Sequence, residues 1–483
     1  MASSKNFFKF LIIIFLCFIF YLFFSGLAHY KGNFFIYIIF SILSNYLLFF
    51  SFRKNAFFFE SFFGLFIWLG FWFKFVCVIS FREGQFPEGS GSFDNSPESF
   101  DYALIISIIA FLAIISSFRL REYFFNYYKS KSIINENTIY TNNKKKILFT
   151  LSILFILVCT LNVFYGIYQK GLLTSYNINF FIHSFFKWAL LFGFTAIFSL
   201  IIFIEINIYK KFFSFSSILL IFESFFSYTS MLSRGMIFNI LAILYGVYKF
   251  KSVFHIKLKT SDFVKFIVLS LFLFYFSSLS VNFLRQNFFY EDKPFSISIF
   301  NNYEQKNNNL PFFNNKELLY LAANRWVGID SVLAVVGKKK ILSFKLLNNS
   351  FKEKFSKYNP SFYEETFSLL NENHNNKSIN PNLIKGIILP GIIAFLFYSG
   401  SFIFLFVSLF FLTFISSFIE YLSFKFTNFN MIFSALIGQL IAYRWIHFGY
   451  IPMNSYLLFS SIILTIFLIS FLFNIFNLKK NRI

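Results

Sequence analysis

Twelve apolar runs decide what this chain can become. A helix needs roughly 20 apolar residues to cross the hydrocarbon core of a bilayer. Runs of that kind lie at 7–27, 33–51, 56–80, 102–118, 147–165, 184–206, 212–232, 235–250, 263–283, 400–420, 430–448 and 454–476. Little is left for an ordinary globular surface, because the 87 Phe alone exceed the 43 basic and 21 acidic side chains together. Charged residues make up 13% of the 483, about half the share of a soluble domain, which is roughly 25%. The expectation is an all-α polytopic integral membrane protein of about twelve transmembrane helices. A soluble enzyme and a nucleic-acid binder are excluded. The abundance of Phe, Ile, Asn, Lys and Tyr is what an AT-rich coding bias produces, so the Phe content by itself points to no function. The three cysteines, Cys17, Cys77 and Cys159, sit inside apolar runs and report neither a disulfide framework nor a zinc site.

Orientation follows from Lys and Arg, which favour cytoplasmic loops. With the N-terminus inside, the inner segments hold 22 of the 43 basic residues, against Glu122, Glu136, Glu205, Asp262 and Glu420 in or beside them. The same assignment sets all eight prolines on or near the outer face. The net charge of +22 is then mostly a topology signal. Lys5 and Lys9 before the first run resemble the start of a signal peptide, but the run is long and Ala28 is a poor cleavage site, so an uncleaved helix is expected.

Four parts result: helices one to nine over 1–283, a large outer loop with short helices over 284–385, a re-entrant or interfacial segment over 386–399, and helices ten to twelve over 400–483. The large loop holds 14 basic and 9 acidic side chains, and a long loop with structure of its own is usually functional. Within it, 316–337 looks helical and is expected to lie on the outer membrane surface, since a thirteenth crossing would put Lys479, Lys480 and Arg482 outside. Segment 386–399 is apolar, broken by Pro390 and Gly391, and too short to cross. Broken backbone at membrane depth is tolerated where it lines a cavity. The shorter outer loop, 81–101, is acidic and rich in Gly, Ser and Pro.

The chemistry must be sought among isolated charges, since there is no Gly-rich phosphate loop, HExxH, paired CxxC or DxD motif. Only nine basic residues are Arg, and five of them, Arg82, Arg234, Arg285, Arg325 and Arg444, fall on the outer side. In a Lys-biased chain, Arg at an apolar boundary points to a need for a planar bidentate donor, suited to phosphate or carboxylate; pairing with a carboxylate or snorkelling to headgroups is the alternative. Glu223 precedes Arg234 by eleven residues, within about 20° of the same helical face. An aligned intramembrane carboxylate is a candidate functional group, or else a structural hydrogen-bonding Glu. His447 follows Arg444 by three residues, and the pair suits anion binding and proton transfer. Asp330, five residues after Arg325, is a candidate base or a solvated residue. His29, His183, His255 and His374 have no such company.

With these features the chain resembles the Wzy-type polymerases of bacterial O-antigen and related oligosaccharide repeat units. The resemblance is architectural over nearly the whole chain, and it extends to the strings ESFFGLFIWLGFWFKF (60–75), YGIYQKG (165–171), SRG (233–235), NRWVGIDSVLAV (324–335) and LPGIIAFLFYSGS (389–401). One spacing departs from the group: some members carry an Arg and, after ten intervening residues, a Gly, whereas Arg325 reaches Gly337 after eleven. The resemblance implies inverting, metal-independent glycosyl transfer on the outer face of the bacterial inner membrane. It implies an undecaprenyl-diphosphate-linked glycan and membrane lipid as partners, a place for a chain-length regulator protein, and no cofactor, metal or nucleic acid. Arg234, Arg285, Arg325 and Arg444 would then meet the diphosphate, and His447, Asp330 or Glu223 would take the acceptor proton. An O-antigen ligase, or another glycosyltransferase with a polyprenyl-linked donor, would share these features and draw its base from Glu83, Glu88, Asp94 or Asp101. A polysaccharide flippase would instead line a central cavity with charge.

Overall fold

The computed structural model describes residues 2–82, 86, 91–127, 138–170, 179–233, 235–290, 326–354, 361–367, 389–449 and 451–477; the regular structure among them is helical, without strands. Each apolar run of the sequence becomes a helix or a pair of helices. They are α1 (Ala2–His29), α2 (Phe34–Ser51), α3 (Phe58–Trp68) with α4 (Lys74–Arg82), α5 (Pro97–Phe124), α6 (Ile139–Tyr165), α7 (Phe180–Trp188) with α8 (Phe194–Tyr209), α9 (Phe215–Ser230), α10 (Met236–Phe254) and α11 (Thr260–Tyr290). After the large loop's α12 (Ile329–Gly337), α13 (Phe344–Phe351) and α14 (Phe362–Phe367) come α15 (Gly391–Leu396), α16 (Phe402–Phe426), α17 (Met431–Ile446) and α18 (Pro452–Asn477). Among the described residues, nine helical stretches are long and apolar enough to cross a membrane; α17 and the apolar part of α1 are shorter, and α9 has 16 residues.

Apolar sequence says where helix is possible, and polar caps say where it stops. Asn33 accepts from Phe35 N at 2.9 Å at the start of α2, and Asn430 accepts from Ile432 and Phe433 N at the start of α17. Ser96 caps α5 ahead of a Pro at its first position, where the missing N–H costs nothing. The start of α3 has no such residue, since its cap position is Phe57. The carboxylate of Glu420, on α16, takes over: it accepts from Phe58 N at 2.8 Å and Phe59 N at 2.5 Å. A negative charge at a helix N-terminus satisfies orphan donors and the helix dipole together.

The two most enclosed spans, 58–81 and 180–209, each contain one π-helical turn, Leu69–Phe73 and Ala189–Gly193. Such a turn inserts a residue and frees a carbonyl. In the second, Asn239 Nδ2 donates to Leu191 O at 2.9 Å. In the first, the π turn receives another part of the chain: a Cβ on Gly70 would come within 2.2 Å of Val327 O, and one on Gly328 within 2.2 Å of Gly70 O. The outer loop thus meets the bundle backbone to backbone, which only glycine permits. By contrast α6, α11, α16 and α18 leave rows of Phe, Leu and Ile exposed, as lipid-facing helices do.

This docking changes the expectation for 316–337. Residues 316–325 lie outside the described residues, but Ile329 and Ser331–Val336 are buried, so α12 is a packed helix against α5 and not a helix resting on the membrane surface. Its apolar face is turned to protein because the π turn and Gly328 let the chain approach closely. Segment 386–399, where described, is the six-residue α15 and a 3₁₀ turn at Phe397–Ser399, buried throughout. Gly391 N donates to Phe448 O at 2.9 Å, joining it to the end of α17. The two outer loops also touch, since Gly337 abuts Ser92 and Gly91 abuts Phe367.

The opposite end of the bundle is held by a closed set of ion pairs. Arg121 and Glu60, both without solvent exposure, make a two-pronged contact with Nε–Oε1 and Nη2–Oε2 both at 2.7 Å. Arg53 reaches Glu60 at 3.0 Å and Glu122 at 2.7 Å. Tyr127 donates to Glu420, and Lys249 to Ala56 O. Glu205 is likewise enclosed by Lys144 at 2.7 Å, Tyr140 OH and the hydroxyls of Ser214 and Ser216. Removing one member of a buried pair strands the other. Arg121→Met should therefore cost about 3–5 kcal/mol, read as a lower midpoint for thermal loss of monodisperse protein in detergent; an unchanged midpoint would mean that the pair carries no stability.

Candidate functional site

At the other end, cations gather around the α9–α10 turn. Helix α6 stops at Gly166 in the left-handed region (φ 55), and the chain folds back under the control of one buried amide. Asn162 Nδ2 donates to Tyr168 O at 3.1 Å and Ser230 O at 3.0 Å, while its Oδ1 accepts from Tyr168 N at 2.8 Å. Lys170 is thereby brought to the α9–α10 turn: its N–H donates to Met231 O at 2.9 Å, and Nζ donates to Ser233 Oγ at 3.1 Å. From α11, Arg285 Nε donates to Leu232 O at 2.9 Å in the same turn.

Two more cations complete the group. Arg444, near the end of α17, donates from Nε to Ser455 Oγ at 2.8 Å. Lys187 on α7 lies 6.0 Å from the centre of the Tyr168 ring, and Lys170 lies 5.8 Å from that of Tyr228. Lys170 feels the fields of Arg285, Lys187 and Arg444. Among the described residues, no carboxylate pairs with Lys170, Lys187 or Arg444. Burial, and then these three like charges in that order, push the Lys170 ammonium down to about 8. Half-buried like charges repel unless an anion joins them, so the arrangement is chemically suited to a polyanion that brings its own charge.

His447 stands at the edge of this group. Its Nδ1 lies 2.9 Å from Tyr443 O, and its ring stacks on Tyr443 at 4.0 Å and 25°. A proton on Nδ1, given to that carbonyl, leaves Nε2 as the lone-pair nitrogen. Lys170 and Arg444 are within electrostatic reach of the ring. Tyr443 in turn meets Phe66 and Phe238, which both also contact Trp326, the residue after Arg325 in the sequence. An aromatic floor therefore runs from the outer loop to the histidine.

Of the residues singled out in the sequence, Arg285, Arg444 and His447 are brought together. Arg234 and Arg325 lie outside the described residues, as do the side chain of Arg82 and the residues Glu83 and Glu88. Glu223 is buried within α9 and accepts from Ser227 Oγ at 2.9 Å and Thr195 Oγ1 at 3.1 Å. Asp330 forms an ion pair with Lys74 and so is not a freely solvated carboxylate. Asp101 holds the α1–α2 turn through Tyr30 OH at 2.6 Å and Asn33 N at 2.8 Å. The Ser96 N–H and hydroxyl hold the Asp94 carboxyl below the usual range. His183 lies edge-on to Tyr168 at 5.6 Å. Sequence reasoning passed over Lys170, Lys187 and Lys74. The signal for Lys187 and Lys74 was available, because a lysine inside an apolar span is by default a functional or paired group.

Among the described residues no group of three or more His, Cys, Asp or Glu side chains could hold a metal ion. No protein-family model, curated protein or solved structure matches the chain. The fold itself defines the class: an all-helical, multi-pass membrane protein with nine long apolar helices among its described residues.

The Lys170 shift gives the site a pH signature. With its pKa lowered to about 8, Lys170 is charged at pH 7 and neutral at pH 9, whereas an unperturbed lysine keeps its charge to about 10.4. Calorimetric binding of inorganic pyrophosphate to the detergent-solubilised protein should weaken between pH 7 and 9, and Lys170→Met should remove most of that dependence. Equal slopes in the two proteins would exclude Lys170 from the anion site.

Proposed function

We propose that the protein polymerises undecaprenyl-diphosphate-linked oligosaccharide repeat units of an O-antigen or related surface polysaccharide on the outer face of the bacterial inner membrane. In this reading all twelve helical runs cross the membrane, both termini are cytoplasmic, and 284–385 lies outside. The observation that carries it is the cation group Lys170, Lys187, Arg285 and Arg444, of which Lys170, Lys187 and Arg444 have no carboxylate partner among the described residues, at the end of the bundle where the long loop docks. The strings that carry the family resemblance, distant in sequence, also meet at this end: Lys74 with Trp326, Lys170 with Ser233, and Ser331 with Leu389.

The reaction makes a specific demand. The bond between the anomeric carbon and the lipid diphosphate breaks, and negative charge grows on the leaving diphosphate. A hydroxyl of a second lipid-linked repeat unit forms the new glycosidic bond from the opposite face and gives up its proton. Fixed cations at the membrane boundary stabilise the leaving group, each charge-assisted hydrogen bond contributing roughly 1.5–3 kcal/mol. The Nε2 of His447 is the proposed acceptor of that proton, within the fields of Lys170 and Arg444. Arg234 and Arg325 join the diphosphate set in this proposal, with Asp330 and Glu223 as the other candidate bases. A chain-length regulator protein is a proposed partner. A flippase is less well supported, because the buried charges Glu60, Arg121 and Glu205 at the opposite end are matched in ion pairs and do not continue the cation group across the bundle.

Deletion of the gene should leave single repeat units on the lipid carrier, as gel profiles of surface polysaccharide would show; full-length chains lacking only attachment to lipid A would favour a ligase. His447→Ala should reproduce the single-unit profile at normal protein level, whereas His255→Ala, at the opposite end of α10, should leave chain length unchanged. Wild-type polymer from His447→Ala would move the base elsewhere. A cysteine placed at the exposed Asn348 of α13 should react with a membrane-impermeant maleimide in intact spheroplasts; labelling only after lysis would reverse the topology.

A further inference from the structure

We infer that Lys74 is a positioning residue: from inside the third span it docks residues 326–330 of the outer loop into the π turn, and so places the Trp326 ring beside the end of α17.

Four observations meet at this point. Lys74 is 1% exposed, and a buried ammonium is costly unless paired and hydrogen-bonded. Both requirements are met by the outer loop, through the Asp330 carboxylate and through Trp326 O at 3.0 Å. One turn before Lys74, Gly70 receives Val327 and Gly328 at a distance that admits no side chain on either glycine. Beyond Asp330, α12 is buried from Ile329 to Val336 apart from Asp330 itself, so the docked segment continues as part of the core. Across the contact, Trp326 stacks on Phe66 at 6.0 Å and 27°, and Phe66 also touches Tyr443, the stacking partner of His447.

The ionic contact, together with the glycine fit at Gly70 and the hydrogen bond from Ser331 Oγ to Leu389 O, sets the register of the segment. Lys74 contributes to it the charged contact, by requiring one carboxylate and one carbonyl at fixed places. Asp330 is thereby assigned as the anchor. The docking stands without the reaction; the claim that it positions a catalytic wall rests on the proposed function.

Hydrogen exchange and binding on the full-length protein in detergent separate these two claims. In Lys74→Met and in Asp330→Asn, amide exchange over 329–337 should rise by about tenfold, as expected when a local docking contact is lost, while exchange over 431–446 stays at the wild-type rate. The double variant should add little to the larger single effect, since both remove one contact. Pyrophosphate affinity at the cation group should be unchanged, whereas transfer between lipid-linked repeat units should fall in kcat. Wild-type exchange over 329–337 in Asp330→Asn, which keeps the shape of the side chain and removes its charge, would overturn the docking even if Lys74→Met fails to accumulate. Raised exchange with full transfer would overturn the positioning role. Absence of transfer by the wild-type protein would instead count against the polymerase reading, and the exchange result would still decide the docking.

Discussion

A charge carried into an apolar helix bundle is costly without a partner, and the ion pairs at one end of the bundle follow from that constraint. At this end Glu60 is matched with Arg53 and Arg121, and the start of α3 is closed by the Glu420 carboxylate from a distant helix. The partners come from the α2–α3 turn, α3 and α5 in the ion pairs and from α16 through the Glu420 hydrogen bonds, so these contacts join those helices at this end. The cost of leaving any member alone in a low-dielectric interior is what makes the arrangement definite.

The same constraint gives the other end its meaning. Lys170, Lys187 and Arg444 are half-buried, the fields of the other two reach Lys170, and none is paired with an acid among the described residues. Their immediate contacts are neutral: the Ser233 and Ser455 hydroxyls and the tyrosine rings at 168 and 228. Neutral contacts orient a cation without cancelling it. An anionic ligand is the physical complement of such a group, and in the proposed function that ligand is the lipid diphosphate.

Between the two ends, the π turns solve a problem of access. A regular helix satisfies its own backbone and offers no backbone surface to an outside segment. By widening one turn at Leu69–Phe73, the third span receives the outer loop at Gly70. The Leu191 carbonyl freed in the other turn is taken by Asn239, one turn into α10 from the cation group. Both devices sit in the most enclosed spans, where neighbouring helices can supply the missing hydrogen bonds.

Much of this was legible in the chain alone. Apolar runs of crossing length give the helices, because a bilayer admits little else, and Asn, Ser and Gly at their borders give the ends. The grouping of Arg444 with His447 was also readable, since three residues on one helix are near neighbours whatever the tertiary fold. Position along a helix does not say which face meets which neighbour, however, and so Lys170 and Lys187 gave no sign of joining Arg444 across three helices. Nor did Asp330 reveal Lys74, 256 residues earlier, or α12 its buried place in the bundle: a run such as IDSVLAVVG is equally at home on a membrane surface or inside a protein. Periodicity and composition determine what a segment can bury. Only the tertiary structure, through the widened turn at Gly70 and the charge that Lys74 had to match, decided what it is buried against.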